Sequence, residues 1–278
     1  MNEGPVASPL PISCYIRTKN EEHFIEKTIL AARKICAEVI IVDSGSTDRT
    51  VALAKAAGAR IVHQPWLGNG FQKRAGEDAC NNDWVLDLDA DEVISPELAE
   101  EIRTEFAELK PKHSVYQVKL ITVPPVGEPW HNFLVVVRYK LYDRRLHRMP
   151  ASAAWDQMEL SAGTTFGVLK GVLWHFSFRN LEHIVEKLNG VSTRRAQSTK
   201  EVSAWSMQMR IFFAMPFYFF KAYIVRGRWR AGTYGYAMAR ISAYGRWLRD
   251  AKRYEAWMIR NENRKSASLA EQKSVSND

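Results

Sequence analysis

Along the first hundred residues, short apolar runs alternate with stretches whose apolar positions recur every three or four residues, the pattern of a sheet flanked by helices. Residues 12–17 read as a first strand and 21–34 as a helix with Phe24, Ile25, Ile29 and Leu30 inward. EVIIV (38–42) predicts a second strand ending at Asp43, and the turn cluster SGSTD (44–48) caps a helix over 49–57 that Gly58 closes. A third strand over 60–63, a loop over 65–70, a helix over 71–79 and a fourth strand over 84–88 follow. Ser95 as N-cap and Pro96 in the first turn start a helix over 97–109.

Beyond residue 110 the period changes. Residues 115–123 and 133–142 predict longer, partly alternating strands, with Pro124, Pro125 and Pro129 between them. Residues 167–176 predict another strand and 180–200 a polar helix. From 203 to 260 the pattern is helical and aromatic, and 261–278 is polar without periodicity, a frayed tail. The organisation expected is a domain over 1–200, divided into halves 1–110 and 111–200, a helical extension over 201–260 and a disordered tail over 261–278.

Composition places the 278 residues among ordinary globular chains, with 46% hydrophobic and 25% charged residues, and excludes collagen-like and disulfide-stapled classes. Cys14, Cys36 and Cys80 form no C-x-x-C pair, so a reduced, cytoplasmic setting is expected, with neither zinc site nor disulfide framework. MNEGPVASPLP has no basic region followed by an apolar core, so no secretory signal is expected. The longest apolar run, 211–225, is interrupted by Pro216 and Lys221 and is shorter than the roughly 20 residues that cross a bilayer.

Charge changes the picture. Residues 1–110 carry 12 basic and 19 acidic side chains, whereas 111–278 carry 27 and 12, so the net +8 hides a −7 front and a +15 back. Residues 210–260 alone hold 11 basic and 2 acidic groups among aromatic ones, a composition that suits a phosphate-bearing partner, either nucleic acid or an anionic membrane surface.

WVLDLDADE (84–92) is the sharpest candidate for chemistry. A buried strand that emits Asp87, Asp89 and Asp91 at its carboxyl end concentrates negative charge where α/β sheets bind ligands, and a divalent cation relieves the repulsion. A solvated acidic turn fits a lone D-x-D equally well. An EF-hand loop starting at Asp87 needs Gly at 92 and an acid at 98, where Glu92 and Leu98 stand. An aspartyl-phosphatase nucleophile would follow the first strand, where the chain has Thr18, Lys19, Asn20 and Glu21. Asp43 and its Ser/Gly turn suit either a base or ribose contact or a simple capped βα turn. No Gly-rich dinucleotide or P-loop signature is present.

TKNE (18–21), VDSGSTD (42–48), PWLGNGFQK (65–73) and DWVLDLDADE (83–92), in that order, resemble glycosyltransferase family 2, in the branch that acts on lipopolysaccharide core. The resemblance continues through LKGVLWHFSFRNLEHIVEKLN (169–189) and the aromatic basic tail, over nearly the whole chain. It implies a GT-A fold, a Rossmann-like mixed α/β sheet flanked by helices, with a C-terminal helical membrane-associated extension. It also implies an inverting, metal-dependent enzyme that moves a hexose from a nucleotide-diphosphate sugar, a UDP-hexose first of all, to a lipid-linked saccharide, with a polysaccharide or polyprenyl-phosphate-linked sugar transferase of the same fold as the alternative.

Carried onto this chain, the resemblance puts Glu21 and Asp43 on the nucleotide's base and ribose, with Thr18 and Ser44 beside them. Lys73 would meet the diphosphate, Asp89 the sugar nucleotide, and Asp91 with His175 would hold Mg2+ or Mn2+. The family's His-Glu falls on AAWDQMEL (153–160), giving Trp155 and Asp156, so Asp156 is the expected general base, one methylene shorter than Glu, with Glu159 nearby on what would be an alternating strand. Asp87 departs from the small residue usual there, and is expected either to tighten the metal site or to face solvent.

Segment 205–230 joins aromatics to an Arg cluster, as an interfacial helix on anionic lipid requires, and as a packing helix with solvated Arg residues also allows. The resulting expectation is a cytoplasmic enzyme, peripheral on the inner face of the cytoplasmic membrane, with no nucleic-acid partner. Two other classes remain. A sugar nucleotidyltransferase wants a Gly-rich basic loop after the first strand, which TKNEEHF lacks, and a non-catalytic nucleic-acid or membrane-binding module sits poorly with the acidic cluster.

Overall fold

The computed structural model describes residues 8–107, 110–130, 135–153, 155–196 and 203–275. It divides into two compact units, Met1–Pro124 with Pro129–Ser177, and Pro125–Glu128 with Phe178–Asp278.

The first unit is the expected mixed α/β sheet flanked by helices. Its strands are β1 (Leu10–Thr18), β2 (Cys36–Asp43), β3 (Arg60–His63), β4 (Trp84–Asp89), β5 (Glu92–Ile94), β6 (Val115–Thr122), β7 (Val135–Asp143) and β8 (Gly167–His175). They lie in the order β3-β2-β1-β4-β7-β6-β8-β5. Strands β3, β2, β1 and β4 run parallel, while β7 joins β4 and β6 antiparallel. The helices are α1 (Ile25–Arg33), α2 (Thr50–Ala56), α3 (Asn69–Ala79) and α4 (Pro96–Glu105).

Central parallel strands are covered on both faces, which is why β1, β2 and β4 read as near-continuous apolar runs. On one face Ile12, Cys14, Ile16, Ile29, Ile41, Leu86, Leu88, Leu98 and Ile102 are buried together. On the other, Tyr15, Ile40, Val85 and Tyr142 pack with Met149 and Met158. Gly76 on α3 is set by Tyr15, whose ring lies 2.7 Å from where a Cβ would stand.

Most predicted elements hold to within a few residues. The three-residue β5 was not expected: Glu92, Val93 and Ile94 pair antiparallel with His175, Trp174 and Leu173, a long-range pairing that local periodicity cannot signal. No strand forms over 150–153 or 155–166, so Asp156 stands in irregular chain where a short alternating strand was expected. The expected ends of three elements, at 108–109, 133–134 and 197–200, lie outside the described residues.

The second unit holds α5 (Leu181–Ala196), α6 (Ala204–Phe220) and α7 (Gly232–Val275). Ser203 caps α6 by accepting from the Ser206 amide. Pro216 lies inside α6, and a π turn over Lys221–Val225 follows. Residues 261–275 continue α7 where a frayed tail was expected, because Glu, Lys, Arg, Ala, Leu and Gln are strong helix formers even without an apolar stripe. Among the described residues no helix is long and apolar enough to cross a membrane.

Candidate active site

The site is built at the carboxyl edge of β1, β2 and β4, where an open parallel sheet leaves its strand ends free for ligand. Register brings the groups into line: Thr18 pairs with Asp43 across β1–β2, and Arg17 with Asp89 across β1–β4.

On the β2 side, two turns clasp each other. Asn20, with φ 56°, donates its amide to Ser46 Oγ at 2.9 Å and accepts the Thr47 amide at 2.8 Å. Glu21 donates its amide to Thr50 Oγ1 at 2.8 Å, and the Ser44 amide donates to the Thr18 carbonyl at 3.0 Å. Asp43 is buried and accepts from the Gly45 and Ser46 amides at 3.0 and 3.1 Å, so its carboxylate fixes the turn that follows it. Thr18 is only 5% exposed, yet its hydroxyl has no hydrogen-bond partner among the described residues. An orphaned buried hydroxyl at this edge is the kind of group a bound ligand satisfies.

Beneath the β4 edge lies a buried charge network. Lys73, 4% exposed, donates to Asp87 Oδ2 at 2.7 Å. Lys140 on β7 donates to Glu92 Oε2 at 2.6 Å and lies 3.6 Å from Asp87. Glu92 also accepts the Asp89 amide at 3.0 Å. Two cations against two anions make the burial tolerable. Asp87 therefore neither faces solvent nor joins Asp91, as had been expected, because two lysines claim it. Burial pushes the Glu92 carboxyl up, Lys140 opposing it; burial also works against the charge on Lys140, but Asp87 and Glu92 outweigh it and hold its pKa above the usual lysine value.

Above that network Arg17 joins three elements. Its guanidinium grips both Asp89 oxygens, donates to Asn69 Oδ1 at 2.9 Å and lies 3.0 Å from Asp156 Oδ2. Burial alone would raise the Asp89 pKa, but Arg17, Lys140 and Lys73 hold it well below the ordinary carboxylate range. Asp156 is lowered as well, since the Gln157 amide at 2.9 Å and the charges of Lys73 and Arg17 outweigh its burial.

Asp156 reaches this position because two glycines let its loop come close. Gly68, with φ +118°, would clash with the Ala153 backbone if it carried a Cβ. A Cβ on Gly70 would fall 2.5 Å from the Trp155 carbonyl oxygen and 2.7 Å from that of Ser152. The closeness is used: the Asn69 amide donates to the Ala153 carbonyl at 3.1 Å and the Gly70 amide to the Ser152 carbonyl at 3.0 Å.

Asp91 faces His175, Oδ2 to Nε2 at 3.5 Å, because β5 pairs with the end of β8. Burial lowers the imidazole's pKa, but Asp91, Glu92 and Asp89 outweigh that and raise it. One hard oxygen and one imidazole suit a divalent ion, and no set of three His, Cys, Asp or Glu gathers among the described residues. Two protein ligands leave the other positions to water and phosphate oxygens.

The structure thus gathers Asp89, Asp156 and the charge of Lys73 around Arg17, and sets Asp91 with His175. Glu159 is exposed. Sequence reasoning missed Arg17, Asn69, Lys140 and Glu92. A signal existed for one of them: Arg17 is a lone cation inside an otherwise apolar strand segment, SCYIRT, whereas Lys140 shares its segment, RYKLY, with Arg138.

The model of the family described as Glycosyl transferase family 2 matches residues 13–173. The chain is 34% identical to an uncharacterized glycosyltransferase of Rickettsia bellii, over 94% of this chain and 92% of the relative. It is 29% identical to the lipopolysaccharide core biosynthesis glycosyltransferase LpsC of Rhizobium meliloti, over 88% and 93% respectively. Among solved structures, that of S. aureus TarS in complex with UDP-GlcNAc is similar at a TM-score of 0.46 and 16% identity, covering 89% of this chain and 91% of that one.

Proposed function

The chain belongs to glycosyl transferase family 2, and from that premise we propose that it transfers a hexose, with inversion, from a UDP-sugar to a lipid-linked saccharide of the lipopolysaccharide core. The observation that carries this reading is the convergence on Arg17 of Asp89, from the end of β4, and Asp156, from the loop packed on Gly68 and Gly70.

In this reading the nucleotide lies along the edge formed by Thr18, Glu21, Asp43 and Ser44. Thr18 offers an unused hydroxyl there, while Asp43 acts by holding its turn open. Asp89 contacts the sugar nucleotide, and Lys73 adds its positive charge from beneath. The acceptor oxygen attacks the anomeric carbon, the bond to the diphosphate oxygen breaks, and the acceptor's proton passes to the Asp156 carboxylate. Asp91 and His175 would hold Mg2+ or Mn2+, which when bound neutralises charge on the departing nucleoside diphosphate.

The second unit is the part that meets the lipid surface. Trp205, Met209, Phe212, Phe213, Phe217, Phe220 and Ile224 recur at helical spacing along α6 and the π turn, and all are exposed, Trp205 at 70% and Phe217 at 60%. Solvent-facing rings flanked by Arg210, Lys221, Arg226 and Arg230 suit an anionic membrane surface.

The test is a donor screen with Mg2+ or Mn2+, reading nucleoside diphosphate release with extracted core lipid or polyprenyl phosphate as acceptor. Asp91→Ala should abolish transfer, and Asp156→Asn should abolish transfer while sugar-nucleotide binding persists. Transfer at the parental rate by Asp156→Asn would remove Asp156 from the mechanism.

A further inference from the structure

In the second unit, at the π turn after α6, a small, partly open pocket, whose mouth rather than its interior could take a phosphate, is lined by Tyr218, Lys221, Ala222, Arg226, Ser242 and Arg246. Three of the six carry positive charge and none carries negative charge. Behind them lies Arg228, 5% exposed, whose guanidinium donates to the Met238 carbonyl at 2.8 Å and to Ser242 Oγ. Arg246 stacks over the Tyr218 ring at 5.3 Å. The acid nearest in sequence, Asp250, is buried and engaged by Arg249, with contacts of 2.8 to 3.0 Å.

Positive charges gather closely in this cluster. Burial, Arg226 and Arg246 together push Arg228 down to about 10, and burial with Arg226 lowers Arg246. Like charges crowded in a partly desolvated place raise the energy of the chain unless an anion comes between them. The donor set identifies that anion. Two guanidinium forks, one ammonium and the Ser242 hydroxyl match the several acceptor oxygens of a phosphate better than the two of a carboxylate.

The pocket lining shares α6 and the π turn with the apolar ridge. Tyr218, Lys221 and Arg226 each follow directly on an exposed apolar residue, Phe217, Phe220 and Val225. A phosphate held here would have its carrier beside rings that face outward, the arrangement of a lipid headgroup above its acyl chains. We propose that this pocket binds the phosphate of an anionic lipid headgroup, a site separate from the sugar-nucleotide edge. The proposal rests on the membrane reading of the second unit and narrows it from general charge attraction to a defined phosphate site.

The experiment uses the full chain and vesicles of phosphatidylcholine doped with phosphatidic acid or, to the same surface charge, with oleate. Flotation should show at least about tenfold tighter binding to the phosphatidic acid vesicles. Arg226→Gln with Arg246→Gln should lose that preference, whereas the charge-matched control Lys55→Gln with Lys119→Gln should keep it. A circular dichroism spectrum checks that each variant is folded. Equal binding to both vesicle types by the parental chain, with no saturable binding of inorganic phosphate, overturns the phosphate site while leaving membrane attachment standing. Failure to bind either vesicle overturns both. Saturable binding of inorganic phosphate alone, abolished in the double variant and with no preference for phosphatidic acid vesicles, overturns the lipid as the source.

Discussion

Arg17 and Asp156, far apart in the chain, form an ion pair of 3.0 Å while the same guanidinium grips Asp89. The group expected to take the acceptor's proton is therefore positioned by the strand that carries the donor edge. Arg17→Met should lower kcat at least about tenfold, more than it changes the donor's KM, because a loosened Asp156 forfeits the 10²–10⁴-fold range of general-base action. Arg17 is also one of the charges that lower the Asp156 pKa, so the acidic limb of the kcat profile should move to higher pH in this variant. Arg17→Lys, which keeps the charge but not the fork, should restore the position of that limb better than it restores kcat.

Asp89 contributes to the acid side of the stability curve. Its carboxyl titrates well below the ordinary range when folded, against about 3.9 in an unfolded chain. A depressed folded value gives stability that is fully present above the unfolded pKa and is lost as pH falls through the folded one. Asp89→Asn should be less stable than the parent at pH 7 by about 1–3 kcal/mol, since it strips Arg17 of its partner, and the gap should close as both are acidified. Urea melts at pH 7, 4 and 3 measure this.

The network under β4 should respond as a unit. Lys140→Met leaves Glu92 buried without its cation, and a broken buried pair costs about 3–5 kcal/mol. Lys140→Met with Glu92→Gln should recover part of that loss, because Lys73 still answers Asp87. A double-mutant cycle on thermal or urea unfolding gives the coupling.

Gly70→Ala tests the loop that delivers Asp156. The added methyl meets the carbonyl oxygens of Pro150, Ser152 and Trp155, all backbone, so the loop must move. An overpacking cost of about 1–3 kcal/mol is expected. Transfer should fall while sugar-nucleotide binding, read by titration calorimetry, stays near the parental value.

Phe213 and Phe217 stand out from α6 and are spaced one turn apart. Changing both to Ser should leave unfolding within about 0.5 kcal/mol of the parent, the usual range for exposed positions. Flotation with anionic vesicles should weaken at least tenfold, since each ring buried in the interface contributes on the order of 1 kcal/mol or more.

The sequence by itself determined the strand and helix order of the sheet unit apart from β5, the family and the carboxyl edge that holds Asp43, Asp89 and Asp91. These are written locally, in runs of apolar residues, caps and turn clusters that need no distant partner to be read. The tertiary structure decided which charges meet. Lys73 faces Asp87 because β7 supplies Lys140 to balance Glu92. Arg17 reaches Asp156 because Gly68 and Gly70 admit the backbone of Pro150, Ser152, Ala153 and Trp155, and His175 reaches Asp91 because a three-residue strand pairs with β8. Periodicity names the side chains that turn inward, whereas the partner of a buried charge is fixed by register between strands distant in the chain, where an unpaired charge is too costly to persist.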